Sequence, residues 1–207
     1  MKKANGIEIY ENLKEIVNPV HSCLVVWDVQ DGLVSKVYNK TEFISNIKYL
    51  VNVLRGKMPI VYTLITPPEK SFRSSWSYYA MMRRFGVDDP AKLPDFMSKG
   101  SNDRNILEDI ASQAGDVLLE KPTASIFIGT YFEQMMKNRN ITTLIFTGIA
   151  TEIGVESSAR DAANRGFYPV IVEDCVSSMD KNAHNRSLEN MRKMFICENS
   201  KTIAGNV

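Results

Sequence analysis

The chain has little histidine, little cysteine and no excess of charge of either sign. Its 2 histidines, His21 and His184, are far apart, and its 3 cysteines, Cys23, Cys175 and Cys197, form no CxxC pair. This excludes a zinc cluster and a disulfide framework, and scattered thiols fit a reducing cytosol. With 25 Lys and Arg against 24 Asp and Glu, no large positive field exists to attract nucleic acid or an acidic membrane. No apolar run reaches the length of a membrane span, and the opening "MKKANGIEIYENLKEIV" is broken by Asn, Glu and Lys too early for a signal peptide. What these absences leave is a cytoplasmic protein acting on a small molecule, with neither metal nor cofactor called for.

What is present is a core. At 207 residues and 44% hydrophobic content, residues 1–207 fit a single domain. Short apolar runs recur: Cys23 to Val29, Pro59 to Ile65, Asp116 to Lys121, Thr142 to Gly148, Phe167 to Asp174 and Met194 to Glu198. They are near-continuous rather than alternating, as in strands buried on both faces of a parallel sheet. Helical candidates separate them: Phe43 to Arg55, Asn105 to Gln113, Tyr131 to Asn138, Thr151 to Arg165 and His184 to Arg192. The order predicts an α/β fold, a three-layer α/β/α sandwich around a doubly wound, mostly parallel six-stranded sheet.

Ligands of such sheets bind beyond the carboxyl ends of the strands. Those ends carry Asp28 with Gln30, Thr66, Lys121, the Gly148 to Gly154 turn, and Glu173 with Asp174. Asp28 ends a buried strand, where desolvation raises a carboxyl pKa. Lys121 has the same geometry, and together the two place opposite charges at one sheet edge, an arrangement suited to proton exchange with a substrate. Gly154 is the anomaly, because glycine inside a helix costs about 1 kcal/mol relative to alanine. The irregular stretch Thr66 to Asn105 follows a strand at the ligand edge, so it reads either as a lid or as a structural insertion; Arg73, Trp76, Arg83 and Arg84 are its candidates to face Asp28.

The stretches "VVWDVQDGL", "EKPTASIFIGT", "TGIATEIGVESSARDAANRGFYPVIVEDCVSS" and "HNRSLENM" resemble the isochorismatase-like hydrolases, also called cysteine hydrolases, over Cys23 to about Met194. In that family an Asp, a Lys and a Cys at a helix start form a catalytic triad. The resemblance carries the first two onto Asp28 and Lys121. It puts Gly154 at the third, as in several true isochorismatases, so no thiol is available to attack there and a non-covalent route through Asp28 is implied. It also implies a non-proline cis peptide between Ile149 and Ala150, with backbone N–H groups of Thr151 and Gly154 aimed at an oxyanion. On this reading Gly154 makes room for substrate or water, and the bond cleaved is a vinyl ether or a C–N bond. Alternatives are an amidohydrolase using Cys175 or water, and an inactive binding or assembly member. A homo-oligomer, dimer or tetramer, is likewise implied.

Gln30, Ser125, Phe127, Ile149, Ala150, Thr151 and Glu152 complete the candidate substrate site. Glu152 reads either as a base for water near Gly154 or as a first-turn carboxylate favoured by the helix dipole. Thr151 reads as a helix N-cap, Ser125 and Phe127 as pocket wall or packing, and Cys23 and Cys197 as inert core thiols.

Overall fold

A computed structural model describes residues 2–98 and 100–207. A small exposed antiparallel hairpin, β1 (Lys2–Ala4) and β2 (Ile7–Ile9), and a short helix α1 (Leu13–Ile16) lead into the main sheet. The apolar runs become β3 (Ser22–Trp27), β4 (Ile60–Ile65), β5 (Val117–Lys121), β6 (Thr143–Ile149), β7 (Tyr168–Ser177) and β8 (Ile196–Glu198). They form one parallel six-stranded sheet in the order β5-β4-β3-β6-β7-β8.

Alternate residues of β3 enter different cores, as period-2 geometry requires. Leu24 and Val26 join a cluster on one face with Phe43, Ile47, Leu50, Val51 and Leu54 of α3 (Lys40–Leu54) and Ile203 of α8 (Ser200–Gly205). Cys23, Val25 and Trp27 join the opposite cluster, which α5 (Phe132–Asn138), α6 (Glu156–Asn164) and α7 (Lys181–Met191) cover. This is the three-layer α/β/α arrangement, with the sheet buried on both faces. Among the described residues no helix is long and apolar enough to cross a membrane.

Two segments depart from the sequence expectation. The candidate helix Asn105 to Gln113 forms only a single 3₁₀ turn over Glu108–Ile110, because Gln30 bridges to Ile106 and the side chains of Ile106, Leu107 and Ile110 plug the first core. Strand β7 runs past Asp174 to Ser177, since a register shift between Phe146 and Gly148 lets β6 resume pairing at Gly148 with Val176. Glu173 and Asp174 therefore lie within the strand. Glu173 pairs with Arg192, and Asp174 accepts from both the backbone N–H and the hydroxyl of Ser200 at the start of α8.

From β3 the chain winds outward through β4 and β5, then returns to lay β6 against the other side of β3. The carboxyl ends of β3 and β6 thus form the topological switch point, where sheets of this kind open a crevice. A short helix α2 (Asp31–Val34) follows β3 there, and the stretch Thr66 to Asn105 crosses the same edge carrying α4 (Ser75–Phe85), which Ser74 caps and Gly86 (φ 65°) terminates.

Candidate active site

Asp28 leaves β3 in a left-handed conformation, φ 45°, which Asp tolerates better than most residues. The turn is held from β4: the Asp28 backbone N–H donates to Thr63 Oγ1 (3.0 Å), and that hydroxyl donates to Asp28 Oδ1 (2.6 Å). From the end of β5, Lys121 Nζ donates to Asp28 Oδ2 at 2.7 Å and to the Thr123 carbonyl at 3.2 Å. Both ions are almost sealed, their side chains 1% and 5% exposed for Lys121 and Asp28. Burial pushes the Asp28 carboxyl above the ordinary carboxylate range, against the pull of Lys121 and Thr63; burial likewise pushes the Lys121 ammonium down, against Asp28. Each group is held closer to exchanging its proton than a surface residue of its kind.

The pair forms the floor of a cavity of about 140 Å³ that Leu33, Ile65, Phe96, Ile149, Ala150 and Met179 wall with mostly apolar surface. Arg84, from the last turn of α4, reaches the same cavity; its guanidinium lies against Met179 Sδ and the Phe96 ring and pairs with no carboxylate among the described residues. Of the four loop candidates it alone reaches this wall. Trp76 is 72% exposed, Arg73 turns to the Pro68 carbonyl, and Arg83 stacks on Tyr79.

Gly154 lines the cavity, but not as an opening. The Trp27 indole fills the space a side chain there would take: a Cβ on Gly154 would lie 1.9 Å from Trp27 Nε1, 2.3 Å from Cε2 and 2.7 Å from Cζ2. The expectation that Gly154 makes room for substrate or water is thereby corrected, because the room is occupied by Trp27. Gly148 (φ 110°) is required for a similar reason, since a Cβ there would meet the Trp27 carbonyl oxygen at 1.9 Å.

The peptide Ile149-Ala150 is cis, at the place the resemblance implied. It leads into a π-helical turn over Thr151–Val155 rather than directly into α6. In that turn the N–H groups of Ile153, Gly154 and Val155 all donate to the Ala150 carbonyl, at 3.2, 3.0 and 3.3 Å. The Gly154 amide is therefore spent within the turn instead of pointing at an oxyanion.

Of the residues singled out from sequence, Asp28, Lys121, Gly154, Ile149 and Ala150 meet at the cavity together with Arg84, and Gln30, Ser125, Phe127, Thr151, Glu152 and Cys175 do not line it. Gln30 is fully buried, accepting from the Ile65 N–H and donating to the Arg104 carbonyl, so it ties the loop to β4. Ser125 donates to Asp161, and Phe127 packs against Phe132, Phe167 and the Arg165 guanidinium. Thr151 is not a cap; its hydroxyl bonds the Ser177 carbonyl and His184 Nδ1. Glu152 accepts from Ser178, away from Gly154. Cys175 is fully buried inside β7 and its thiol is pushed well above the ordinary range by burial, so it is no displaced nucleophile.

Thr63 and Trp27 were missed. Thr63 sits mid-strand, where a lone Thr in an apolar run looks like β propensity. Trp27 was legible only as a bulky residue beside Asp28, and the signal that might have found it was the empty side chain at Gly154.

A family model described as the isochorismatase domain matches residues 22–197. The ureidoacrylate amidohydrolase RutB of Cronobacter turicensis is 30% identical over 177 residues, covering 75% of this chain and 74% of that protein. The RutB of Methylobacterium radiotolerans is 31% identical over 107 residues, which is 51% of this chain and only 42% of that longer protein. Two solved structures share the fold. A cysteine hydrolase from Pseudomonas syringae pv. phaseolicola superposes with a TM-score of 0.78 at 18% identity, over 92% of this chain and 94% of the other. An N-carbamoylsarcosine amidase from Thermoplasma acidophilum gives a TM-score of 0.68 at 22% identity, over 86% and 96%. With most of its length matched by the family model and its sheet matched by these structures, the chain belongs to the isochorismatase family of hydrolases.

Proposed function

We propose that this protein hydrolyses a C–N bond in a small carboxylate of the ureido or amide class, using water rather than a protein nucleophile. The observation that carries this reading is the sealed Asp28 and Lys121 pair on the floor of a cavity whose third corner is glycine. Among the described residues the one hydroxyl on the cavity wall is that of Thr123, and its single proton is shared between the backbone carbonyls of Ser125 (2.9 Å) and Ile128 (2.8 Å), so it is not poised to attack.

In the proposed step the Asp28 carboxylate takes a proton from water as the water oxygen bonds to the substrate carbonyl carbon. The tetrahedral adduct collapses when Asp28 returns that proton to the leaving nitrogen. The C–N bond breaks, and an acid and an amine or ammonia depart. Lys121 orients the carboxylate and offsets the developing negative charge. Arg84 supplies the cation for the substrate carboxylate, through a fork geometry suited to it. The relatives' printed activities, ureidoacrylate and N-carbamoylsarcosine amidohydrolysis, have this chemistry in common and favour C–N cleavage over vinyl-ether cleavage. A cytoplasmic homo-oligomer, dimer or tetramer, is part of the same reading; light scattering on the purified protein tests its size.

The test is one panel of ureido acids, small amides, nicotinamide and isochorismate, assayed for ammonia and pyruvate with Asp28→Asn as control. Ammonia release that disappears in the variant supports the reading. Pyruvate release moves the activity to vinyl-ether cleavage. A second reading, a member that binds without turnover, draws on the filled space at Gly154, and absence of any turnover across the panel would favour it.

A further inference from the structure

We propose that Trp27 is a ligand-binding residue, its indole N–H standing in the place a nucleophile would take and donating to the acceptor oxygen of the bound ligand. The inference rests on reading the cavity as the substrate site. Its starting point is steric. The indole edge bearing Nε1 occupies the volume of a side chain at position 154, so Trp27 and Gly154 form a matched pair in which each dictates the other. Even a methyl group at 154 and an indole at 27 cannot coexist without one of them shifting.

The chemistry of the pair follows from where that edge lies. Trp27 is only 1% exposed and lines the cavity together with Asp28, Lys121 and Gly154. Its N–H donates to no acceptor among the described residues, although buried tryptophans usually find one. Among the described residues three buried side-chain polar atoms are sealed without a partner, Arg55 Nε, Thr143 Oγ1 and Glu152 Oε2, and Trp27 Nε1 is not one of them. The outlet of that N–H is therefore the cavity. The Lys121 ammonium lies 4.0 Å from the ring centroid, so the same indole also fixes the cation that pairs with Asp28.

A donor and an ammonium converging on one floor, under apolar walls with Arg84 unpaired at the side, suit a particular ligand class. It is a short molecule with a carbonyl oxygen at one end and a carboxylate at the other. The carbonyl accepts from Trp27 and Lys121 while the carboxylate meets Arg84, with the chain between them against Phe96, Ile149 and Met179. The substitution of glycine at position 154 is thus more than a loss, because it gives the cavity a neutral hydrogen-bond donor.

Two measurements test this. The first is steric coupling. Gly154→Ala should lower the melting temperature by roughly 5–10 °C beside Trp27 and by clearly less in a Trp27→Val background, where the clash is gone. A Gly154→Ala protein as stable as the wild type would overturn the pairing. The second follows the indole itself. In protein carrying ¹⁵N-labelled tryptophan, the Trp27 indole resonance, assigned with Trp76→Phe, should move downfield and saturably on titration with N-carbamoylglycine, the smallest ureido carboxylate. Trp27→Phe, which keeps a ring but has no N–H, should weaken binding of that probe about tenfold. A resonance that stays in place, or a Trp27→Phe protein that binds as tightly as the wild type, would overturn the proposal. The outcomes separate from those of the hydrolase reading: ammonia release with an unmoved indole sinks only this inference, and a moved indole without turnover sinks only the hydrolase.

Discussion

Strand β5 carries a buried ion pair at each end, and the two ends behave differently. At its amino end Asp116 pairs with Arg55 from the C-terminus of α3; at its carboxyl end Lys121 pairs with Asp28. The Arg55 pair is tied into a wider network, with only Arg55 Nε left unpartnered among its buried polar atoms. Arg55 also donates to Tyr62 Oη and the Ala111 carbonyl, Asp116 takes the Gln113 N–H, and the Tyr62 hydroxyl continues to the Ile110 carbonyl. Burial lowers the Arg55 pKa, but its bonds to Asp116 and Tyr62 outweigh that and hold the guanidinium above its ordinary range. The Lys121 pair has fewer partners and deeper burial, and burial moves both of its members toward their neutral forms. The groove beside Arg55 is the larger, about 560 Å³ against about 140 Å³. The volume of a depression therefore says less here than the unspent hydrogen-bonding capacity on its floor. One end of the strand is a clamp, and the other holds charge where protons can move.

The comparison breaks or sharpens first at its charged centre. Asp28→Asn should cut ammonia release by about 10²–10⁴-fold, the range for removing a general acid or base. Asp116→Asn should leave turnover per folded molecule unchanged and instead cost about 2–4 kcal/mol in denaturant unfolding, as breaking a buried pair does. If Asp116→Asn silenced turnover without loss of stability, the division of the two ends into clamp and reactive centre would fail. A smaller effect belongs to the cavity wall: Arg84→Gln should raise KM about tenfold with little change in kcat, since it removes one charge-assisted contact made equally before and during the reaction. A fall in kcat at constant KM would place Arg84 in the chemical step and contradict its role as a carboxylate anchor.

The sheet and the Lys121 end of this comparison were legible in the sequence, and the Arg55 end was not. The apolar runs from Cys23, Pro59 and Thr142 read as strands of a parallel sheet because β3, β4 and β6 are buried on both faces and show near-continuous apolar sequence. Asp28 and Lys121 were readable because a charge closing an apolar run has only the strand end to occupy. The remainder depended on tertiary partners. Glu173 and Asp174 looked like strand ends, but a bulge between Phe146 and Gly148 carries β7 beyond them. Gln30, Ser125 and Thr151 have side chains suited to ligand contact, and each is instead consumed by a loop carbonyl, a carboxylate or a neighbouring imidazole. Trp27 and Gly154 are separated by most of the chain, and their volumes complement each other only once β3 and β6 lie side by side.

A third carboxylate tests whether the balance of donors against burial is what separates the two kinds of end. Glu156, at the start of α6, is partly buried, and burial pushes its carboxyl up. The Ser187 hydroxyl, the Arg160 guanidinium and the Asn190 amide outweigh that and hold it below the ordinary range. With three donors against the two of Asp28, and with less burial, it should act on stability. A carboxyl with a lowered folded pKa binds fewer protons folded than unfolded, so its contribution is present above the ordinary carboxylate range and disappears as the pH falls through the folded value. Glu156→Gln should accordingly cost about 1–2 kcal/mol at pH 7 and progressively less as the medium is acidified, the two unfolding curves converging in acid. A difference that stayed constant with pH would show that the hydrogen bonds hold the neutral acid as well as the carboxylate. In that case the balance of donors against burial could not explain why the pair at one end of β5 clamps and the pair at the other is poised to exchange protons.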